Sequence, residues 1–368
     1  MKLRILMLLT DAFGSRGGIA QFNRDFITAL SEQGDIEKVI CLPRLMPYDL
    51  HLTLTKVDYR KEALRSRWKY FLACLKLVLG RETFDLVICG HINLLPFAYL
   101  IGWLTQKPIF LILFGSDAWT PPRRRWPNAL YRTVRGCVSI SQFTSDRFVR
   151  WSGISSDKIY LLPCCVDLAR FSSNGKPKAF IEKYRLQNKK VLLTVGRITK
   201  EERSKGFELV IKALPRLVKK IKNLVYLVVG EGDDVEYLKM LAGNLGVEQQ
   251  VIFTGFIDEK EKPDIYHCAD VYVMPSKGEG FGIVYLEALA AGLTIIGSKS
   301  DAGQETLRAG RWGYLVDRDN EDSLIDGVLK AFQNPITVSR DELQEHSSSY
   351  FNQRCHSWIQ GIIKSGFY

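Results

Sequence analysis

The eight cysteines contain no C-x-x-C pair; only Cys164 and Cys165 are neighbours, and the rest are scattered. That spacing excludes a zinc ribbon and a disulfide-stapled secreted scaffold, and it predicts a reducing compartment. Internal repeats, low-complexity tracts and a G-x-G-x-x-G loop are also missing, so solenoid and ordinary dinucleotide-binding readings lose their support. The apolar run Ile5–Leu9 is too short for a secretory core and meets Asp11 almost at once, which predicts a buried first strand. Residues 86–106 carry no Lys, Arg, Asp or Glu, but Gly90, His91, Asn93, Pro96 and Gly102 interrupt them. Strand, loop and helix are expected there instead of a membrane span.

What is present is a chain of 368 residues with 46% hydrophobic and 25% charged residues, enough for two domains with cores of their own. Short β-branched runs alternate with helical patterns. Strands are expected at 3–9, 38–42, 86–89, 109–114, 138–140 and 159–162, and again at 191–195, 225–229, 251–254, 271–274 and 294–296. This βαβ order predicts two parallel-sheet domains with helices on both faces. The strongest mid-chain loop cluster, Ser172–Pro177, places the boundary between residues 1–172 and 173–350. Tyr350, Phe351, Trp358, Ile359, Ile362 and Ile363 give residues 351–368 the spacing of a closing helix.

Charge is uneven. Of the formal net +11, residues 1–170 hold 24 Lys and Arg against 14 Asp and Glu, whereas residues 171–368 hold 27 against 26. The first half is therefore expected to meet an anion: phospholipid headgroups, a lipid-linked phosphate or nucleic acid. No nucleic-acid motif accompanies the charge, so nucleic acid is not expected as a partner. Residues 60–79 scan as an amphipathic helix, with Leu64, Trp68, Phe71, Leu72, Leu75 and Leu79 at helical spacing and Lys61, Arg65 and Lys69 stacked at i, i+4. An anionic membrane surface would offset that stack; a solvated face covering core leucines explains it equally well. Arg123, Arg124, Arg125 and Trp126 form a second basic, aromatic cluster of the kind found near headgroups.

Ligands in open α/β sheets bind beyond the carboxyl ends of strands, and the suggestive residues lie there. After the first strand comes Gly14-Ser15-Arg16-Gly17-Gly18, opening a helix; bare amides there suit an anion, or the loop is simply a tight turn. In the second half, Val195 is followed by Gly196-Arg197, and Lys205-Gly206 comes within the next loop. A guanidinium grips phosphate bidentately and an ammonium acts as a point charge, so the pair suits a diphosphate. Gly278-Glu279-Gly280-Phe281-Gly282-Ile283 opens a helix that Gly292 closes. Within that helix Glu287 sits among Leu286, Ala288, Leu289 and Ala291, where a carboxylate is costly unless hydroxyls or cations satisfy it. A diol-bearing ligand is the favoured partner and a structural donor the alternative.

The ordered set Gly196-Arg197, Lys205-Gly206, Gly230-Glu231-Gly232, Glu279 with Glu287 eight positions on, and Ala290-Ala291-Gly292 resembles the retaining glycosyltransferases of family 4, with the GT-B fold. The resemblance spans nearly the whole chain and is strongest over 191–317. It implies two Rossmann-like domains facing across a cleft, with the closing helix returning to the first. It implies that Arg197 and Lys205 hold a donor diphosphate, that Glu279 contacts donor-sugar hydroxyls and that Glu287 binds a ribose diol. Backbone at Phe281, Gly282 and Ile283 would complete the donor site, with Gly196, Gly230 and Phe256 beside it and Gly17 and Gly18 closing from the other domain. Arg197, Lys205 and Glu279 would carry the catalysis.

The implied activity is transfer of a hexose, with retention and without a metal or cofactor, from a UDP- or GDP-sugar to a glycan or lipid-linked acceptor. The enzyme would be cytoplasmic and peripheral on the inner face of a membrane. The triplet Asp317-Arg318-Asp319 imitates a metal-binding D-x-D, but it falls in a late loop and is set aside. Many relatives have His-Gly where this chain has Phe114-Gly115, leaving Asp117 or His91 to stand near the reacting carbon, although a satisfied strand-end histidine is the favoured account of His91; Cys164-Cys165 stands where relatives usually have Asn-Gly. A nucleotide-sugar epimerase or hydrolase of the same fold and a non-catalytic nucleotide-sugar-binding scaffold are the competing readings.

Overall fold

The computed structural model describes residues 2–48, 54–64, 66–80, 82–121, 129–172 and 175–366. The chain divides into two compact units, residues 1–165 with 348–368, and residues 166–347.

The first unit contains a seven-stranded, all-parallel sheet: β1 (Leu3–Leu9), β2 (Ile36–Pro43), β3 (Val57–Tyr59), β4 (Leu86–Cys89), β5 (Ile109–Leu113), β6 (Gly136–Ser139) and β7 (Ile159–Leu161). Their spatial order is β3-β2-β1-β4-β5-β6-β7, so the order reverses between β1 and β4. Parallel strands covered by helices on both faces read as continuous apolar runs, which is why Leu-Arg-Ile-Leu-Met-Leu-Leu forms β1 with five consecutive buried residues from Ile5. One face packs on the helices Arg67–Leu79 and Leu95–Thr105, through Tyr70, Cys74, Leu77, Ala98 and Ile101. The helices Gly18–Glu32 and Ser348–Lys364 belong to this unit and lock together through aromatic rings, Phe22 against Phe351 at 5.7 Å and Phe26 against Trp358 at 5.7 Å. Trp358 also lies edge-on to Phe110 of β5 at 5.4 Å.

The second unit is a six-stranded parallel sheet: β8 (Lys190–Val195), β9 (Leu224–Val229), β10 (Val251–Gly255), β11 (Val271–Val273), β12 (Thr294–Ser298) and β13 (Tyr314–Val316). The order is β10-β9-β8-β11-β12-β13, reversing between β8 and β11. Its core is lined by the helices Phe207–Leu217 and Glu321–Gln333, with Val210, Leu214, Leu324 and Val328 against Leu192, Tyr226 and Ile296.

Three expectations need correction. The division falls at Cys165/Val166 and not at 172/173, because Val166 donates its amide to the His346 carbonyl at 2.8 Å and Phe171 packs on Tyr266 at 5.6 Å, holding residues 166–172 on the second unit. The closing helix starts at Ser348, before the expected 351. The basic helix starts at Arg67, not at 60: Ser66 caps it by accepting the Lys69 amide, so Lys61 lies outside the helix that carries Lys69. Arg65, Arg123, Arg124, Arg125 and Trp126 lie outside the described residues. That helix also turns Trp68, Leu72 and Leu79 outward, burying Tyr70, Ala73, Cys74 and Leu77 instead.

Candidate functional site

The order reversal between β8 and β11 opens a crevice at their carboxyl ends, the usual ligand position in such sheets. Gly196 and Arg197 leave β8 there, and residues 274–282 leave β11. The backbones converge closely. Gly230 has φ +141°, and a Cβ on it would stand 1.8 Å from the Gly196 carbonyl oxygen; a Cβ on Gly232 would stand 2.2 Å from that of Ile198. Only glycine lets the exits of β8 and β9 approach so near. A Cβ on Gly206, at φ +88°, would likewise stand 2.6 Å from the Pro275 carbonyl oxygen, and Lys277 donates its amide to the Ser204 carbonyl at 2.9 Å, tying residues 200–206 to the loop after β11.

These ties gather the charged side chains. The stem of Lys205 crosses Gly196, where a Cβ would meet Lys205 Cδ at 3.0 Å. Lys205 Nζ lies 3.7 Å from Glu279 Oε2 and 3.8 Å from Glu202 Oε2, while Glu202 Oε1 pairs with the Arg197 guanidinium. Glu202 thus joins the two cations that the sequence singles out. Sequence reasoning passed over it because Glu201-Glu202 reads as solvated loop charge. The loop is braced from outside by Arg203, which holds the buried Asp234 through two bonds of 2.7 and 2.6 Å, and by Arg318, whose guanidinium donates to the Arg203 carbonyl at 3.3 Å. Burial lowers the pKa of Arg318.

Asp301, after β12, is a second residue that sequence reading missed. Fully buried, it accepts from Ser276 Oγ at 2.5 Å, from the Gly278 and Glu279 amides at 3.1 and 3.0 Å, and from the Gly303 amide at 3.0 Å. It therefore fixes the loop that carries Glu279. Burial raises its pKa, and the Ser276 hydroxyl opposes the rise. Its only sequence signal is an aspartate shortly after a strand. Gly282, at φ +94°, starts the helix Ile283–Ala290; no side chain caps it, and a Cβ would collide with the Tyr285 ring at 2.4 Å. Phe281 is buried, and its carbonyl accepts from the Thr306 hydroxyl.

Glu287 answers the burial question raised by its sequence. Its Oε1 pairs with Lys262 Nζ at 2.5 Å and its Oε2 accepts from Tyr266 Oη at 2.7 Å, so structural donors satisfy it. The favoured diol is not needed to explain its burial; each oxygen retains a lone pair beyond those bonds. Phe256 follows β10 with an exposed ring. Asp317 accepts the Asp319 amide at 3.0 Å, closing a local turn, so Asp317-Arg318-Asp319 is accounted for by local structure.

Gly17 and Gly18 lie in the first unit after β1. Gly17 has φ +104° and open space where a Cβ would stand, and Arg24 pins the loop by donating to the Ala12 and Ser15 carbonyls at 2.8 Å each. Phe114 is a core residue, edge-on to Phe22 at 5.4 Å. His91, beyond β4, accepts the Asn93 amide on Nδ1 at 3.1 Å, which leaves the proton of a neutral ring on Nε2, 4.0 Å from Asp117 Oδ2. Burial pushes His91 down and Asp117 up from their ordinary values, each partly opposed by the other's charge.

Known proteins share this fold. The Glycosyltransferase Family 4 domain matches residues 16–170 and the Glycosyl transferases group 1 domain matches residues 177–350. The chain is similar to the GDP-mannose-dependent alpha-(1-6)-phosphatidylinositol monomannoside mannosyltransferase of Mycolicibacterium smegmatis, 32% identical over 204 residues, which cover 53% of this chain and 52% of that protein. It is also similar to the phosphatidyl-myo-inositol mannosyltransferase of Mycobacterium tuberculosis, 34% identical over 218 residues, 57% of this chain and 54% of that one. The chain thus spans about half the length of the curated relatives it matches. Among solved structures, Anabaena HepE in complex with UDP and glucose superposes with a TM-score of 0.78 at 16% identity, covering 98% of this chain and 100% of that one. Sucrose-phosphate synthase from Thermosynechococcus elongatus gives 0.77 at 18% identity, covering 99% and 100%. The chain carries both domains in order on two parallel sheets, and it belongs to the family 4 glycosyltransferases of the GT-B fold.

Proposed function

We propose that the protein transfers a hexose from a nucleoside-diphosphate sugar to a glycan or lipid-linked acceptor, with retention of anomeric configuration and without a metal ion. The observation that carries the reading is the run of contacts Arg197–Glu202–Lys205–Glu279 at the carboxyl ends of β8 and β11. Breaking the bond between the anomeric carbon and the β-phosphate oxygen leaves negative charge on the diphosphate. Arg197, Lys205 and the uncapped start of the helix Ile283–Ala290 are the groups that stabilise it, in the role a divalent ion takes elsewhere. The acceptor oxygen bonds to the same face of the anomeric carbon and its proton passes to the departing phosphate oxygen, so no separate general base is required. Glu279 accepts from sugar hydroxyls. Glu287 accepts from ribose hydroxyls with its remaining lone pairs, held in place by Lys262 and Tyr266.

A mannose donor and a phosphoinositide-like acceptor are supported by the names of the mycobacterial relatives, and a UDP-sugar by the ligands of HepE. The basic first half suits an anionic acceptor at a membrane surface. The test is incubation with UDP- and GDP-hexoses, with and without lipid extract, reading nucleoside diphosphate and the anomeric configuration of the product. Acceptor-dependent release with a retained anomer supports the proposal. Acceptor-independent release indicates the epimerase or hydrolase reading, and donor binding without release indicates a scaffold.

A further inference from the structure

The helices Arg67–Leu79 and Leu95–Thr105 lie side by side on one face of the first sheet, with Tyr70 edge-on to Phe97 at 5.2 Å. Their outward sides are not those of ordinary surface helices. Trp68, Leu72 and Leu79 recur on one stripe of the first and are 76%, 59% and 78% exposed; Trp103 on the second is 61% exposed, with Tyr99 and Leu104 also exposed. The second helix has no charged residue at all. A surface helix normally turns charge to water, so a paired apolar, aromatic face of this kind marks a surface that something covers.

We propose that this face is a membrane-insertion surface, which seats the first unit on an anionic phospholipid bilayer. The helices, at 13 and 11 residues, rise about 20 and 16 Å. No helix among the described residues is long and apolar enough to cross a membrane, so these two lie in the plane of the interface. Two outward tryptophans match the amphipathic zone where indole rings settle. The surrounding charge matches as well. Residues 60–107 hold eight Lys and Arg against three Asp and Glu, and the exposed Lys69 and Lys76 rise from the same helix as the outward leucines. Anionic headgroups complement that charge, whereas a second copy would bring like charge against like. The role differs from a purely electrostatic contact, because apolar side chains enter the bilayer and the lysines hold the headgroups around them. It names the membrane contact of the proposed function but does not depend on transferase activity.

The experiment is flotation of the full chain with vesicles of phosphatidylglycerol and phosphatidylcholine, and with phosphatidylcholine alone, without donor or acceptor. Binding to the mixed vesicles with a blue shift of tryptophan emission is expected. Trp68→Ser with Trp103→Ser should weaken partitioning about tenfold or more, and Lys69→Gln with Lys76→Gln should weaken it and flatten its salt dependence. A thermal transition as cooperative as wild type, at a similar midpoint, should report that both variants are folded, because the substituted helices belong to the first unit. If the double tryptophan variant misfolds, Trp68→Ser alone carries the test. Absence of binding to anionic vesicles, or binding indifferent to the tryptophan substitutions, overturns the proposal. A dimer in solution that dissociates on the same substitutions would assign the face to a second copy and overturn it equally. Failure here leaves donor turnover untouched, so it is distinguishable from failure of the transferase reading.

Discussion

Lys205→Ala is the sharpest perturbation of the site. The ammonium stands 3.7 Å from Glu279 and 3.8 Å from Glu202, with Arg197 on the other oxygen of Glu202. Two cations and two carboxylates balance in this cluster; removing the lysine leaves it net negative just where a diphosphate is to gain charge. One preorganised donor lost from such a position costs about 3 kcal/mol in the transition state. At 1.36 kcal/mol per factor of ten, turnover should fall on the order of 100-fold. The fold should survive, because the lysine stem lies over Gly196 at the rim of the sheet and is no part of the apolar core. The assay is nucleoside diphosphate release under saturating donor, beside thermal unfolding of the same preparation. A variant with an unchanged melting temperature and turnover within twofold of wild type would refute the argument.

Glu202→Gln should act in the opposite sense on binding: the carboxylate that competes with phosphate for both cations is gone, so nucleoside diphosphate should bind several-fold tighter by calorimetry. Weaker binding would show that Glu202 serves mainly to position the cations. Gly230→Ala places a methyl 1.8 Å from the Gly196 oxygen and should destabilise the second unit by about 2–4 kcal/mol in urea titration; an unchanged midpoint would contradict the close approach. In the first unit, the hydrogen bond from Arg60 at 2.7 Å holds Glu82 below the ordinary carboxylate range. A depressed folded pKa contributes stability that is complete above the unfolded value of about 4.3 and is lost as pH falls through the folded one. The melting-temperature gap between wild type and Glu82→Gln should therefore be open at neutral pH and close in acid, and a gap that widens in acid would reverse the sign.

The long central strands were legible because burial on both faces leaves a continuous apolar run; Leu3–Leu9 and Leu86–Cys89 fall where that pattern puts them. The edge strands Val57–Tyr59 and Tyr314–Val316 were not, since each is only three residues long, too short to show an alternation of its own. Helix Arg67–Leu79 shows the limit of amphipathic reasoning: two apolar stripes compete in its sequence, and packing against the sheet and the neighbouring helix selects Tyr70, Ala73, Cys74 and Leu77. At the site, glycine spacing and cations beyond strand ends pointed to Arg197 and Lys205. Glu202 and Asp301 escaped because their importance lies in what the folded loops bring to them, namely two cations for one and three backbone amides for the other.

The most direct measurement is a crystal structure of the protein with its nucleoside diphosphate. The β-phosphate should sit within hydrogen-bonding distance of Lys205 Nζ and the Arg197 guanidinium, with Glu202 displaced from at least one of them. A diphosphate bound elsewhere, with the Arg197–Glu202–Lys205 cluster intact, would contradict the assignment of these cations to the leaving group.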